Sequence, residues 1–136
     1  MELPNVEIEM RQWSAETEVE DLQRGDIGLV PVSRTRWNEW KFFYKTIQYM
    51  AVGIPVVAYK IGSNKEIIQN GVNGFLVEDE NEWYEKLNLL LENPKLRMAM
   101  GREARKTVVE NFSLESQIPK VINVFEQTDK NKIQKT

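Results

Sequence analysis

GIPVVAYKIGSNKEIIQNGVNGFLV (53–77) holds the alternation that decides the fold. Gly53 and Pro55 stop whatever helix precedes them, and Pro55 is tolerated as the first residue of a strand. PVVAYK (55–60) is then a nearly continuous apolar run, the pattern of a strand covered on both faces. Ser63 with Glu66 three residues later reads as a capping box opening a short helix, and Gly71 reads as its C′ residue. Asn73-Gly74 turns the chain into a last short strand, GFLV (74–77). Strand, helix and strand in this order build a parallel sheet.

Toward the N-terminus the alternation continues. Trp40, Phe43, Tyr44, Ile47 and Ala51 recur at helical spacing, behind a polar loop, SRTRWNE (33–39). DIGLVPV (26–32) is another buried strand. SAETEVEDLQR (14–24) is a helix with Ser14 as N-cap and Ala15, Val19 and Leu22 along one stripe, ended by Gly25. VEIEM (6–10) alternates apolar and acidic residues and reads as an edge strand, wet on one face. Toward the C-terminus three helices follow. Trp83, Leu87, Leu90 and Leu91 share a face of the first. Asn93 caps the second, Pro94 takes its first position, and Leu96, Met100, Ala104 and Val108 form its stripe. Ser113 caps the third, with Ile118, Val121, Ile122 and Phe125 expected to face inward. The expected class is α/β: a partial Rossmann-like, mostly parallel sheet flanked by helices over 1–127, followed by a polar, frayed tail at 128–136.

Composition narrows the chemistry. The 136 residues suit one compact domain, and 41% hydrophobic with 29% charged residues is ordinary for a globular chain. There is no cysteine, hence no disulfide, thiolate metal site or cysteine nucleophile. There is no histidine, which removes Ser-His-Asp chemistry, imidazole bases and the common zinc sites. A net charge of −3 gives no reason to expect nucleic acid as the partner. No apolar run approaches the ~20 residues of a membrane span, and MELPNVEIEM is acidic rather than signal-like. The expected location is cytoplasmic. Carboxylates, lysines, arginines, hydroxyls and backbone amides must carry any reaction.

Open α/β sheets bind ligands at the carboxyl ends of their strands. After DIGLVPV, the loop SRTRWNEWK meets the helix FFYKTIQYMA, and Arg34, Arg36, Lys41 and Lys45 crowd the junction around Glu39. Cations are unfavourable at a helix N-terminus unless an anion is there, so the cluster reads either as a diphosphate site or as a solvated basic loop. Trp37, Trp40 and Phe42 could stack on a base or sugar, whereas Phe43 and Tyr44 lie at core spacing. A second candidate is IGSNKE (61–66), where Gly62 and Ser63 open a helix toward a phosphate or hydroxyl.

YMAVGIPVVA (49–58), GSNKEII (62–68) and NGVNGFLV (70–77), in that order, resemble the donor-binding C-terminal half of the group 1 retaining glycosyltransferases of GT-B architecture. NPKLRMAMGREARKTVVENFSLE (93–115) is similar to that family's closing helices, and the likeness runs from about Glu20 to Phe125. The resemblance implies transfer of a sugar from a nucleotide-sugar to a saccharide or glycoconjugate acceptor, in polysaccharide synthesis, without an obligatory metal or any cofactor beyond the donor. It implies that Gln48 stands where the family holds the ribose with Glu, that Trp40 stands at the position of a first Glu near the transferred sugar, and that Phe43 replaces a glycine. Glu39, one residue earlier, is the candidate catalytic carboxylate. Ser33, Lys41, Phe43, Tyr44, Lys45, Gln48, Gly62 and Ser63 are the candidate nucleotide-sugar contacts, with no metal site.

A complete enzyme of this kind has a second, acceptor-binding domain and further strands ahead of VEIEM. The resemblance therefore implies a fragment or truncated product that binds donor at best, part of an enzyme peripheral to the inner membrane face. In a sheet of order 3-2-1-4-5-6, VEIEM would be the third strand and DIGLVPV the fourth, leaving an open edge. A homodimer through that edge is the expectation. The reading from another class is a non-catalytic α/β module that binds an anion or a protein.

Overall fold

A computed structural model describes residues 6–133, and the side chains of residues 6–128. Three parallel strands form one sheet in the order β1-β2-β3: β1 (Gly28–Val30), β2 (Val56–Tyr59) and β3 (Gly74–Val77). Gly28 pairs with Val56, and Val56 with Gly74. Between and after them run α1 (Glu18–Gln23), a 3-10 turn (Asn38–Trp40), α2 (Tyr44–Ala51), α3 (Asn64–Ile67), α4 (Glu80–Glu92), α5 (Pro94–Phe112) and α6 (Leu114–Ile133). The α/β class and the parallel sheet are those read from the sequence.

The central strand shows why its apolar run is unbroken. Val56 and Ala58 point to a core with Met50 of α2 and Ala104 and Val108 of α5, while Val57 faces the opposite core with Phe75, Val77, Leu90 of α4 and Met100 of α5. Successive side chains of one strand thus fill two separate layers. Gly28 is required by close packing, since a Cβ there would sit 2.5 Å from the Tyr49 ring. The expected caps of α5 and α6 form as read: Asn93 accepts from the Leu96 N–H at 3.0 Å and Ser113 Oγ from the Ser116 N–H at 3.2 Å. At α4, Asp79 accepts from the Glu82 N–H and Glu82 reaches back to the Glu78 N–H.

Several local expectations fail. VEIEM (6–10) is not a strand. No sheet edge receives it; instead Glu9 pairs with Arg11 and Arg24, tying the segment to α1 through Arg11 and Asp21. Ser14 opens a turn rather than capping, and the helix begins at Glu18. β1 is three residues long because Pro31 has no N–H for the ladder. The helix stripe expected from Trp40 begins only at Tyr44, and both side chains are exposed. Lys41 is extended, so the 3-10 turn cannot run on into α2. Ser63 makes no cap. Leu91 and the α6 stripe of Ile118, Val121, Ile122 and Phe125 are exposed, because an apolar stripe is buried only where another element lies on it, and α6 packs on α5. α6 itself continues past residue 127 to Ile133.

Candidate functional site

The loops leaving the carboxyl ends of β1 and β2 cross and fasten to each other. Gly62 adopts φ +51, and a Cβ there would meet the Lys41 carbonyl at 2.6 Å, the Asn38 carbonyl at 2.7 Å and the Phe43 ring at 2.7 Å. Only glycine lets these backbones approach so closely. The Ser63 N–H donates to the Lys41 carbonyl at 3.2 Å, and the Phe43 N–H donates to Ser63 Oγ at 2.8 Å. Ser63 is therefore committed to the other loop, which is why it cannot cap α3. Beneath them, Thr46 Oγ1 donates to Asn64 Oδ1 at 2.6 Å, both residues fully buried, and Asn64 Nδ2 donates to the Tyr59 carbonyl. Asn38 holds the β1 loop by donating to the Ser33 carbonyl at 2.8 Å.

Above this clasp lies an open groove of about 660 Å³, lined by Arg36, Glu39, Trp40, Lys41, Phe42, Gly62, Ser63, Lys65 and Glu66. Lys65 Nζ donates to Glu39 Oε2 at 3.0 Å. That hydrogen bond, helped by the lysine's charge and the Gly62 amide, holds the Glu39 carboxyl below the ordinary carboxylate range. Among the described residues no carboxylate lies within ion-pair distance of Arg36 or Lys41. At the neighbouring strand ends, Lys60 donates to Glu78 at 3.0 Å and lowers its carboxyl, while Arg34 donates to the Glu78 carbonyl.

The groove brings together four of the residues singled out in the sequence: Glu39, Lys41, Gly62 and Ser63. Phe43 is buried under Gly62, offering the groove no polar group. Ser33 contributes its carbonyl to Asn38, and Tyr44 projects into solvent. Lys45 lies in a different hollow, with Glu9, Arg11, Trp13, Glu18 and Asp21. Gln48 Nε2 donates to Glu18 Oε1 of α1 at 2.6 Å, at the side of the molecule away from Glu39. Lys65, Thr46 and Asn64 escaped the sequence reading. Lys65 follows a short helix start and looks like any solvated lysine, and the Thr46–Asn64 pair spans 18 positions. Among the described residues no three acidic side chains gather as a metal site would require.

The sequence profile described as glycosyl transferases group 1 matches residues 44–107, which run from α2 through most of α5. The chain belongs to the group 1 glycosyl transferases. Over 95 residues it is 28% identical to spore coat protein SA of Bacillus subtilis, a match spanning 66% of this chain and 25% of that protein. Over 101 residues it is 30% identical to a poly(ribitol-phosphate) alpha-N-acetylglucosaminyltransferase of Staphylococcus aureus, covering 65% of this chain and 20% of that protein. The crystal structure of an S. aureus TarM mutant, in complex with fondaparinux, alpha-GlcNAc-glycerol and UDP, superposes with a TM-score of 0.63 at 25% identity, covering 80% of this chain and 22% of that one. The chain thus spans about a quarter or less of the length of these group 1 relatives.

Proposed function

We propose that this chain is the donor-binding part of a glycosyltransferase that moves a sugar from a nucleotide-sugar to a saccharide or glycoconjugate acceptor, in cytoplasmic polysaccharide synthesis. One observation carries the reading: within a group 1 chain, the loops after β1 and β2 enclose a groove at the strand carboxyl ends whose cations Arg36 and Lys41 have no carboxylate partner. A diphosphate supplies the charge these two lack. Trp40 and Phe42 offer flat faces to a base or sugar, and Glu39, held ionised by Lys65, is the carboxylate facing the reacting centre. The acceptor-binding domain is the partner this reading requires. Gln48 reaches a bound ribose only by releasing Glu18.

Titration with uridine diphosphate, followed by amide NMR, tests the placement. Shifts are expected at residues 36–43 and 62–66 and should weaken with added salt, as exposed electrostatic contacts do. Shifts confined to α5 and α6 would refute it. A homodimer belongs to the same proposal: the outer edge of β1 pairs with no strand among the described residues, and Leu29 on it is 45% exposed. Sedimentation equilibrium at micromolar concentration should show a dimer, and a strict monomer would remove this element.

A further inference from the structure

The loop over 34–45 carries two of the most exposed tryptophans that an acidic chain could display. Trp37 is 81% and Trp40 89% solvent-accessible, and Phe42 and Tyr44 beside them are also exposed. Isolated exposed apolar side chains are ordinary, but four aromatics within eight residues form a patch that needs an occupant. Cations alternate with the rings: Arg34, Arg36, Lys41 and Lys45 stand against one carboxylate, Glu39, which Lys65 already neutralises. The chain as a whole has a net charge of −3, so the positive charge is concentrated on this loop.

We propose that this loop is a docking surface for an anionic lipid bilayer. The alternation of rings and cations favours this occupant over a protein. A protein partner burying the tryptophans would also bury Arg36 and Lys41 beside them, and buried cations are unfavourable without matched carboxylates. A bilayer interface accommodates both groups at once. Indole and phenol rings settle at headgroup depth, and lysine and arginine stay at the phosphate level. An anionic leaflet attracts each basic residue near it, and the acidic remainder of the chain turns outward. The backbone supports this use, because the loop is anchored by Asn38, Gly62 and Ser63 while its rings point into solvent. The groove then opens beside the membrane surface.

Co-sedimentation of the chain with phosphatidylglycerol-containing vesicles and with pure phosphatidylcholine vesicles tests the proposal. Binding to the anionic vesicles is expected, falling with salt, with a blue shift of tryptophan emission. Trp37→Ala/Trp40→Ala should lower the partition coefficient at least about tenfold, and Arg36→Gln/Lys41→Gln should lower it by a similar factor and flatten the salt dependence. All four side chains are exposed, so the variants should keep the circular dichroism spectrum of the parent. Equal binding to both vesicle types, or unchanged binding by the tryptophan variant, overturns the proposal. Displacement by millimolar glycerol phosphate would assign the loop to a free phosphate instead and also overturns it. Self-association that is lost in the tryptophan variant, without vesicle binding, assigns the patch to a second copy and does the same. Amide shifts with uridine diphosphate are a separate readout, so the donor reading and the membrane reading fail independently.

Discussion

At Gly62 a single hydrogen atom decides whether the groove can form. Its φ of +51 is costly for any residue with a Cβ, and the backbone carbonyls of Asn38 and Lys41 occupy the space a methyl would need. Gly62→Ala should therefore lose about 2–4 kcal/mol of stability, the sum of left-handed strain and overpacking. Gly71→Ala is the control, because φ is +82 there and nothing lies within 4 Å, so it should lose only about 1–2 kcal/mol. Chemical denaturation of both variants measures the difference. The Glu39–Lys65 pair makes a second prediction. In Lys65→Met the Glu39 carboxyl should rise toward the ordinary range, as a carboxyl-carbon NMR titration would show. Since the folded-state value is depressed, whatever stability the pair contributes is present above the ordinary carboxylate range and fades as pH falls through the depressed value. Both partners are nearly half exposed, so the effect is small. The sequence made Gly62 and Ser63 visible as a loop opening a helix. It could not show that Ser63 serves Phe43 rather than its own helix, because that bond joins residues 20 positions apart.

Elements were legible where their neighbours are covered on all sides. The runs at β2 and β3 and the stripe of Met100, Ala104 and Val108 on α5 were read as they stand, since burial on both faces leaves a strong pattern. VEIEM and the α6 stripe misled for one reason: alternation or periodicity reports a capacity to be buried, and nothing among the described residues covers either segment. The packing of α5 gives a prediction whose sign opposes helix propensity. Alanine ordinarily improves on glycine within a helix by about 1 kcal/mol. At Gly101, however, a Cβ would come 2.1 Å from the Gly53 carbonyl oxygen, in the turn that leads into β2. Gly101→Ala should destabilise the protein by about 1–3 kcal/mol through overpacking, measured by thermal or urea unfolding. A stabilised variant would mean that α5 stands further from that turn than the structure places it.

For the whole molecule, what the chain holds and what a transfer reaction requires can be set side by side. The groove offers cations, aromatic faces and one ionised carboxylate on a single wall, open to solvent. Group 1 relatives are roughly four times as long as the matched stretch, so most of their structure has no counterpart here. Holding donor and acceptor in reactive orientation supplies about 7–11 kcal/mol of an enzymatic barrier, and a single open wall cannot hold both. Glu39 bears on the same point. Kept ionised by Lys65 in an exposed groove, it lacks the burial that would tune a carboxyl for proton transfer near neutral pH. Residues 1–136 expressed alone should therefore bind uridine diphosphate through Arg36 and Lys41, yet show no glycosyl transfer above background with nucleotide-sugar and a saccharide acceptor. Release of nucleoside diphosphate, followed by a coupled assay, reads this directly. Acceptor-dependent turnover that disappears in Glu39→Gln would show that one wall suffices, and the requirement for a second domain would fall.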